Sequence, residues 1–345
     1  MDMFTLFAVK LIQVLIIAQV MLLTVSYLVY FERKISAWAQ SRVGPNRVGP
    51  AGLLQPFADV LKLLLKEDIM PEKANKLVHI IAPIIALFVA FTTYAVIPIG
   101  PDITLFGLNI PLSVAPEIDM GILYVLALTS IGVYAITFSG WSSGSKYSLL
   151  GGIRSSAQMI SYEISMGFAI AGVLLMAGST LPTKIVELQS GWMWNAIVQP
   201  IGFIVFVVSA FAETNRLPFD LPEAEPELVG GFHTEYSSMK FAGFFLAEYA
   251  NMIIASALIV TLYLGGWQIP YIETLGWAPE IVIPLQIGAF AFKLGALLFF
   301  FIWVRWSLPR FRYDQLMDLG WKVMFPLSLI NIVWVAAIIM IFGIK

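Results

Sequence analysis

The run FAGFFLAEYANMIIASALIVTLYLG, residues 241–265, decides the fold of this chain. It contains one charged side chain, Glu248, and no proline. A helix of this length extends about 37 Å, which is more than the roughly 30 Å of hydrocarbon in a bilayer. The run therefore predicts a membrane-spanning helix.

Similar apolar runs recur along the whole chain. The predicted spans lie near residues 4–30, 77–99, 119–140, 153–178, 195–212, 241–265, 284–305 and 322–342. The composition agrees, since 59% of residues are hydrophobic and only 12% are charged, against about 25% charged in globular proteins. We predict an all-α polytopic membrane protein with about eight transmembrane helices and one short interfacial helix, residues 1–345 forming a single membrane domain.

The polar composition limits the chemistry within this chain. It has no cysteine and only two histidines. Disulfides, iron–sulfur ligation and thiolate zinc sites are therefore excluded, and two histidines are too few for a pair of bis-histidine haems. We expect no haem, flavin, iron–sulfur or metal ligands.

The basic residues are distributed asymmetrically between the connections. The first connection carries eight Lys or Arg residues, whereas the second and sixth, residues 100–118 and 266–283, carry none. The positive-inside rule then places the odd connections in the cytoplasm and both termini outside. Two long connections, residues 31–76 and 213–240, would lie together on the cytoplasmic side.

The first of these connections contains two features. The tandem repeat RVGPNRVGP, residues 42–50, predicts successive turns that present Arg42 and Arg47, with lipid phosphate binding as the simplest role. Polar residues at 55, 59, 62 and 66 share one face of a helix near 55–67. This amphipathic helix is too short to span and should lie in the interface, either as a passive anchor or as a wall of an amphiphile-binding cleft.

Three ionisable residues lie well within predicted spans, namely Glu163, Glu248 and Lys293, whereas Lys10, in the outer part of the first span, can extend to the interface. A charge near the bilayer centre costs roughly 2.5–3.5 kcal/mol, so each needs a partner or a wet cavity, although an interfacial position for Glu248 stays open.

The second long connection is acidic. Within residues 212–236, Arg216 is the only Lys or Arg among six carboxylates: Glu213, Asp220, Glu223, Glu225, Glu227 and Glu235. Carboxylates crowded at low dielectric cannot all ionise, so their titration would be coupled. The alternative is a solvated acidic loop that docks a basic partner.

These segments together resemble one known family. The motifs AETNRLPFDLPEAE at 212–225 and ELVGGFHTEYSS at 227–238 are very similar to the signature of the quinone-site membrane subunit of respiratory complex I. Further matching motifs are ERK at 32–34, RVGPNRVGP at 42–50, GLLQPFAD at 52–59 and RFRYDQLM at 310–317. The resemblance covers essentially the whole chain.

The resemblance implies a tunnel through which quinone, the substrate, enters from the bilayer, framed by the first span, the interfacial helix and the sixth span. It assigns quinone-tunnel or docking positions to Arg42, Arg47, Phe57, Asp59 and Phe232. It assigns proton relay or coupling to an acidic funnel and its charged support: Glu163, Glu213, Arg216, Asp220, Glu223, Glu225, Glu227, Glu248 and Lys293, with Arg310 and Arg312 as further support.

The implied partners are the other membrane-arm subunits, the peripheral-arm quinone-site and iron–sulfur subunits, lipid and quinone, with no nucleic acid. The implied location is the bacterial plasma (inner) membrane rather than the mitochondrial inner membrane. Three alternatives stay open: the equivalent subunit of a membrane-bound hydrogenase or a ferredoxin- or deazaflavin-linked complex, a stand-alone proton-coupled transporter, and a structural anchor for a peripheral enzyme.

Overall fold

A computed structural model describes residues 3–105, 108–115, 118–191, 193–221 and 228–342. Within these ranges, seven helices are long and apolar enough to cross a membrane. They confirm the all-α polytopic fold class. They are α1 (Met3–Ala39), α3 (Lys76–Tyr94), α4 (Gly121–Ser142), α5 (Lys146–Ala177), α9 (Ser238–Tyr263), α10 (Pro279–Ser307) and a last span composed of α11 (Tyr313–Asp318), a π-helical turn (Leu319–Met324) and α12 (Phe325–Phe342).

The remaining elements are short. The amphipathic helix predicted near 55–67 is α2 (Gln55–Leu65), and α6 (Pro182–Leu188) follows α5. The strands β1 (Ile103–Leu105) and β2 (Leu108–Ile110) form the one sheet within the described ranges, an antiparallel hairpin that pairs Ile103 with Ile110.

The predicted fifth span, 195–212, is divided into α7 (Asn195–Val198) and α8 (Pro200–Glu213). Proline has no N–H to continue a helix and prefers a first turn, so Pro200 begins α8 rather than extending α7. Hydrogen bonds from another helix stabilise the backbone at this break. Asn331 of α12 accepts a hydrogen bond from the Gly202 N–H at 3.0 Å and donates to the Gln199 side chain at 3.5 Å. At 14 residues α8 alone is about 21 Å long, which is shorter than the hydrocarbon core.

The first helix is longer than the sequence suggested. It continues past residue 30 to Ala39 and includes Glu32, Arg33 and Lys34. The charges do not end the helix because Glu32 is only 5% exposed and is paired with Arg305 of α10 and with Arg216. The tandem repeat after α1 forms turns, and Gly52 packs so closely that a Cβ there would lie 2.3 Å from the Pro45 carbonyl oxygen.

The centre of the bundle is α9. About 72% of its most apolar 18-residue stretch is buried, against 17–50% of the corresponding stretch in each of the other six spanning helices. It packs against α1, α2, α3, α8 and α10, while α5 packs against α4, α8 and α12. A charged side chain on α9 therefore lies among other helices, not against lipid.

Candidate functional site

An ion cluster surrounds Arg216, in the turn that follows α8. The Arg216 side chain is 3% exposed, and its Nη1 donates to both carboxylate oxygens of Glu32 at 3.2 Å. Its Nε lies 2.7 Å from Glu248 Oε1, an ion pair by distance that lacks the alignment of a hydrogen bond. Glu32 also binds Arg305 of α10 and accepts a hydrogen bond of 2.7 Å from the Tyr249 hydroxyl.

The cluster is electrically balanced. Two carboxylates face two guanidinium groups, and the Arg216 guanidinium also lies 4.2 Å from the centre of the Tyr249 ring. Burial alone would lower the pKa of Arg216, but the carboxylates of Glu248 and Glu32 raise it above its usual value. Arg216 is therefore a permanent cation, and any proton exchange in the cluster belongs to the carboxylates.

A buried amide holds the turn that carries Arg216. Gln158 of α5 donates to the backbone oxygens of Ala212 at 2.8 Å and Phe219 at 2.7 Å, on either side of the arginine. It also lies 3.3 Å from the side-chain oxygen of Asn215, which has a left-handed φ of 51°. These contacts fix the direction in which Arg216 leaves the chain.

A second ion pair lies further along this turn. Arg310 Nη2 is 2.8 Å from Asp220 Oδ2. Burial raises the pKa of Asp220, and Arg310 opposes that rise only in part. Arg312, by contrast, pairs with Asp314 at 3.0 Å where both side chains are largely exposed.

A small cavity, the inner cavity, lies between α3, α4, α5, α8 and α9. Its volume is about 70 Å³, which is enough for water, and its lining is mostly apolar. Two carboxylates of the expected relay, Glu213 and Glu248, are part of its wall. The other polar residues of the wall are Thr93, Thr129, Thr214, Asn215 and Asn251.

Glu163 joins this group from α5. Its carboxylate accepts a hydrogen bond from Ser130 of α4, the residue after Thr129, and it lies within electrostatic reach of Glu213. Glu213 and Glu248 therefore line one cavity from two helices, and Glu163 on a third helix is bound to the neighbour of a wall residue. Glu223, Glu225 and Glu227 lie outside the described residues, and their role stays a prediction.

Lys293 lies elsewhere. Its ammonium donates to three backbone oxygens just beyond α9, those of Leu264 at 2.8 Å, Gly266 at 3.0 Å and Gln268 at 2.8 Å, and it lies 4.5 Å from a Trp194 ring centre. These contacts satisfy the ammonium without a carboxylate. Of the acidic residues with which it was grouped, none that the structure describes forms an ion pair with Lys293.

A larger space, the entrance cavity, opens between α1, α2 and α9, the three elements that the resemblance implies. Its volume is about 250 Å³. Asp59 forms part of the wall, where it binds Arg33 at 2.7 Å and accepts a hydrogen bond from Gln55 at 3.0 Å. The rest of the wall is largely apolar: Val25, Val29, Pro56, Val60, Leu63, Phe241, Ala242, Phe245 and Leu246, with Ser26 and Lys62.

The other predicted binding residues lie away from this cavity. Arg42 and Arg47 are exposed in the turns after α1, as a docking surface would require. Phe57 is 49% exposed and is absent from the described lining of the entrance cavity. Phe232 is buried and forms part of the inner cavity instead.

Sequence reasoning did not identify four residues of the site. Glu32 and Arg305 resemble ordinary charges at the edges of spans, Tyr249 resembles any aromatic residue of a span, and Gln158 is one of several small or polar residues on α5. Two of the four have a signal in the sequence. Glu32 directly follows an apolar run, and Tyr249 is adjacent to Glu248.

The fold and the site together define a class: a multi-pass helical membrane protein whose buried charges border an internal cavity. Residues 12–336 match the family model described as NADH dehydrogenase, and the chain belongs to that family. It is 53% identical to NADH-quinone oxidoreductase subunit 8 of Rhodothermus marinus, with 95% of this chain and 96% of that protein covered. It is 50% identical to an NADH-quinone oxidoreductase subunit of Salinibacter ruber, with 95% of each covered, and 49% identical to one of Geobacter metallireducens, with 97% of each covered.

Proposed function

We propose that this chain is the membrane subunit of a proton-translocating NADH:quinone oxidoreductase, in which it admits quinone and couples quinone reduction to proton movement. The observation that carries the proposal is that the entrance cavity and the ion cluster share two helices. On each helix, residues close together in sequence belong to the two different sites. On α1, Arg33 forms part of the entrance cavity and Glu32 belongs to the ion cluster. On α9, Phe245 and Leu246 face the entrance cavity, while Glu248 reaches both the ion cluster and the inner cavity.

The entrance cavity has the character that a quinone requires. Its apolar walls suit an isoprenoid tail, and the Arg33–Asp59 pair supplies polar groups for a headgroup. The amphipathic α2 forms one wall at the expected depth of the membrane interface. Because the chain has no cysteine to hold an iron–sulfur cluster, electrons reach the quinone from partner subunits.

The ion cluster is the coupling element. Quinone enters beside Arg33, one residue from Glu32, and its reduction at the far end of the tunnel, held by other subunits, consumes protons and changes the charge near the cluster. A displacement of Glu32 alters how strongly Arg216 holds Glu248, because one guanidinium serves both carboxylates. Glu248 then gains or releases a proton at the inner cavity, where water connects it with Glu213 and Glu163.

The partners of the chain in this function are the other subunits of the complex, and its location is the bacterial plasma membrane. Arg42 and Arg47, which are exposed in the turns after α1, face the peripheral-arm quinone-site and iron–sulfur subunits, and the exposed apolar faces of the spanning helices contact other membrane-arm subunits. The chain acts in the bacterial plasma membrane with both termini outside, and it is inactive alone. It carries no redox cofactor of its own.

The test of coupling is Glu213→Gln, which keeps the size of the side chain but removes its titration. We expect a loss of at least tenfold in both quinone reductase activity and proton pumping, in membranes where native electrophoresis confirms assembly. The matched control is Glu187→Gln, an exposed carboxylate on α6. Wild-type rates for Glu213→Gln, Glu163→Gln and Glu248→Gln would leave the acidic segment as a docking surface.

The test of quinone access is Ala242→Trp, which fills the entrance cavity. We expect a raised KM for quinone and unchanged electron transfer from NADH to a soluble artificial acceptor. Leu65→Trp is the control, since Leu65 is 86% exposed and is absent from the described lining of the cavity. An unchanged quinone KM in Ala242→Trp would refute the proposal that quinone enters through this cavity.

A further inference from the structure

Polar contacts join the end of α2 to the start of α9. Lys240 Nζ lies 2.8 Å from Asp68 Oδ2, and the Ser238 hydroxyl donates to the Leu63 carbonyl oxygen at 3.0 Å. The Ser237 hydroxyl accepts a hydrogen bond of 2.9 Å from the backbone N–H of Ile69. We call the side chains of Asp68, Ser237, Ser238 and Lys240 the clasp.

The backbone at the clasp adopts a conformation that non-glycine residues seldom adopt. Ser238 has a φ of 53°, in the left-handed region. Such a residue persists only where its surroundings hold it. Here the contact with Leu63 and the start of α9 provide that hold, so the clasp is a specified junction rather than a chance surface contact.

The clasp lies next to the walls of the entrance cavity. Leu63 is both a clasp partner and part of the α2 wall, and Phe241 and Ala242, which follow Lys240, are part of the α9 wall. At the other side, the Arg33–Asp59 pair joins α2 to α1. The cavity is therefore bounded by three helices that polar contacts join at two places.

These contacts matter because little else holds α2 on its outer side. Leu61, Leu64 and Leu65 are 59%, 54% and 86% exposed, so the outward face of the helix is covered only in part by the described residues. The separation between α2 and α9 then depends on the inner face and on the clasp. A change at the clasp translates into a change in the width of the cavity.

We propose that the clasp residues are positioning residues for quinone: they set the separation between α2 and α9 and thereby the affinity of the entrance cavity. The clasp side chains are not part of the described lining of the cavity, so they act through the helices and not by contact with substrate. This inference rests on the proposed function, because it requires quinone to pass between these helices. It adds Asp68 and Lys240 as determinants of quinone KM.

The first experiment measures quinone kinetics of the assembled complex in membranes for Asp68→Asn and Lys240→Gln. A half-buried ion pair contributes up to about 1 kcal/mol, so we expect an increase of up to about fivefold in quinone KM, with kcat within twofold of wild type. The matched control is Lys322→Gln, which breaks an exposed pair with Asp318 at the same distance of 2.8 Å. Unchanged KM in both clasp variants, or a loss confined to kcat, overturns the inference.

The second experiment separates positioning from general stabilisation. The chain has no cysteine of its own, so Asp68→Cys/Lys240→Cys provides a defined pair of thiols within it. We expect a raised KM in this double variant and a return towards the wild-type KM when a short bifunctional thiol reagent joins the two positions, with reagent-treated wild type as the control. Failure of a confirmed cross-link to lower the KM overturns the inference.

Ala242→Trp distinguishes failure of the inference from failure of the proposed function. If Ala242→Trp impairs quinone reduction while the clasp variants behave as wild type, the clasp has no positioning role and the quinone site stands. If Ala242→Trp has no effect on quinone kinetics, both are overturned.

Discussion

Removal of one carboxylate from the ion cluster tests the charge balance on which the site depends. Glu32→Gln keeps the size of the side chain and leaves an oxygen that can still accept the Tyr249 hydroxyl hydrogen bond. It leaves two guanidinium groups, those of Arg216 and Arg305, against the single carboxylate of Glu248. The buried cluster then carries an uncompensated positive charge.

The magnitude follows from the burial of the two cations. Breaking a buried ion pair by removing one partner costs about 3–5 kcal/mol. Arg216 is 3% exposed but keeps Glu248 as a partner, whereas Arg305 loses Glu32 and, at 28% exposed, can turn towards solvent. We therefore expect a loss near the lower end, about 3 kcal/mol, or roughly a hundredfold in the equilibrium between folded and unfolded chain.

The assay compares the amount of assembled complex on native gels and its melting temperature after purification. Glu32→Gln should lower both, while Glu187→Gln, at an exposed position, should leave both unchanged. The double variant Glu32→Gln/Arg305→Gln returns the cluster to one cation and one anion, so it should be more stable than Glu32→Gln alone. Wild-type stability of Glu32→Gln would refute the charge-balance argument. So would a decrease in the melting temperature of the double variant equal to the sum of the decreases in the two single variants.

Two further predictions concern residues near the cluster. Gln158→Leu leaves the carbonyl oxygen of Phe219 without its buried donor, at about 1–3 kcal/mol, while the Ala212 carbonyl oxygen keeps the Asn215 N–H as a donor. The variant should therefore lower the melting temperature and the quinone reductase activity, and an unchanged melting temperature would contradict this. Burial lowers the pKa of His233 from 6.5 to about 4, so the stability that depends on its neutral form is full above pH 6.5 and is lost as the pH falls towards 4. His233→Phe should therefore flatten the dependence of melting temperature on pH across this interval, and a dependence equal to that of wild type would exclude His233 as its source.

The spans and the interfacial helix could be predicted because their signals are local. A long apolar run has few structural options in a bilayer, and the helical spacing of polar residues at 55, 59, 62 and 66 placed α2 close to its observed bounds, Gln55–Leu65. The break before α8 was the exception. Pro200 marked the position in the sequence, but hydropathy alone gave a continuous run through it.

The ion cluster could not be predicted because its members are distant in sequence. Glu32, Arg216, Glu248 and Arg305 meet only when α1, the turn after α8, α9 and α10 pack together. For the same reason the end of α1 was placed too early: a charge after an apolar run usually marks the membrane surface, but Glu32 has buried partners. The sequence indicated that charges lie within spans, and tertiary packing determined which of them pair.

The charges within spans divide into two kinds, and the division bears on which of them can move protons. Lys293 is satisfied by three backbone oxygens and an indole ring, so its contacts position the end of α9 and involve no carboxylate. Glu213 and Glu248 border a space large enough for water, and Glu248 shares its arginine with another carboxylate. A group that exchanges protons needs contact with water and a neighbour whose charge can change. In the described residues both carboxylates line the inner cavity, while Lys293 is not part of its wall. Substitution of Lys293 should therefore act through stability and assembly, whereas substitution of the glutamates should act on coupling in complexes that assemble normally.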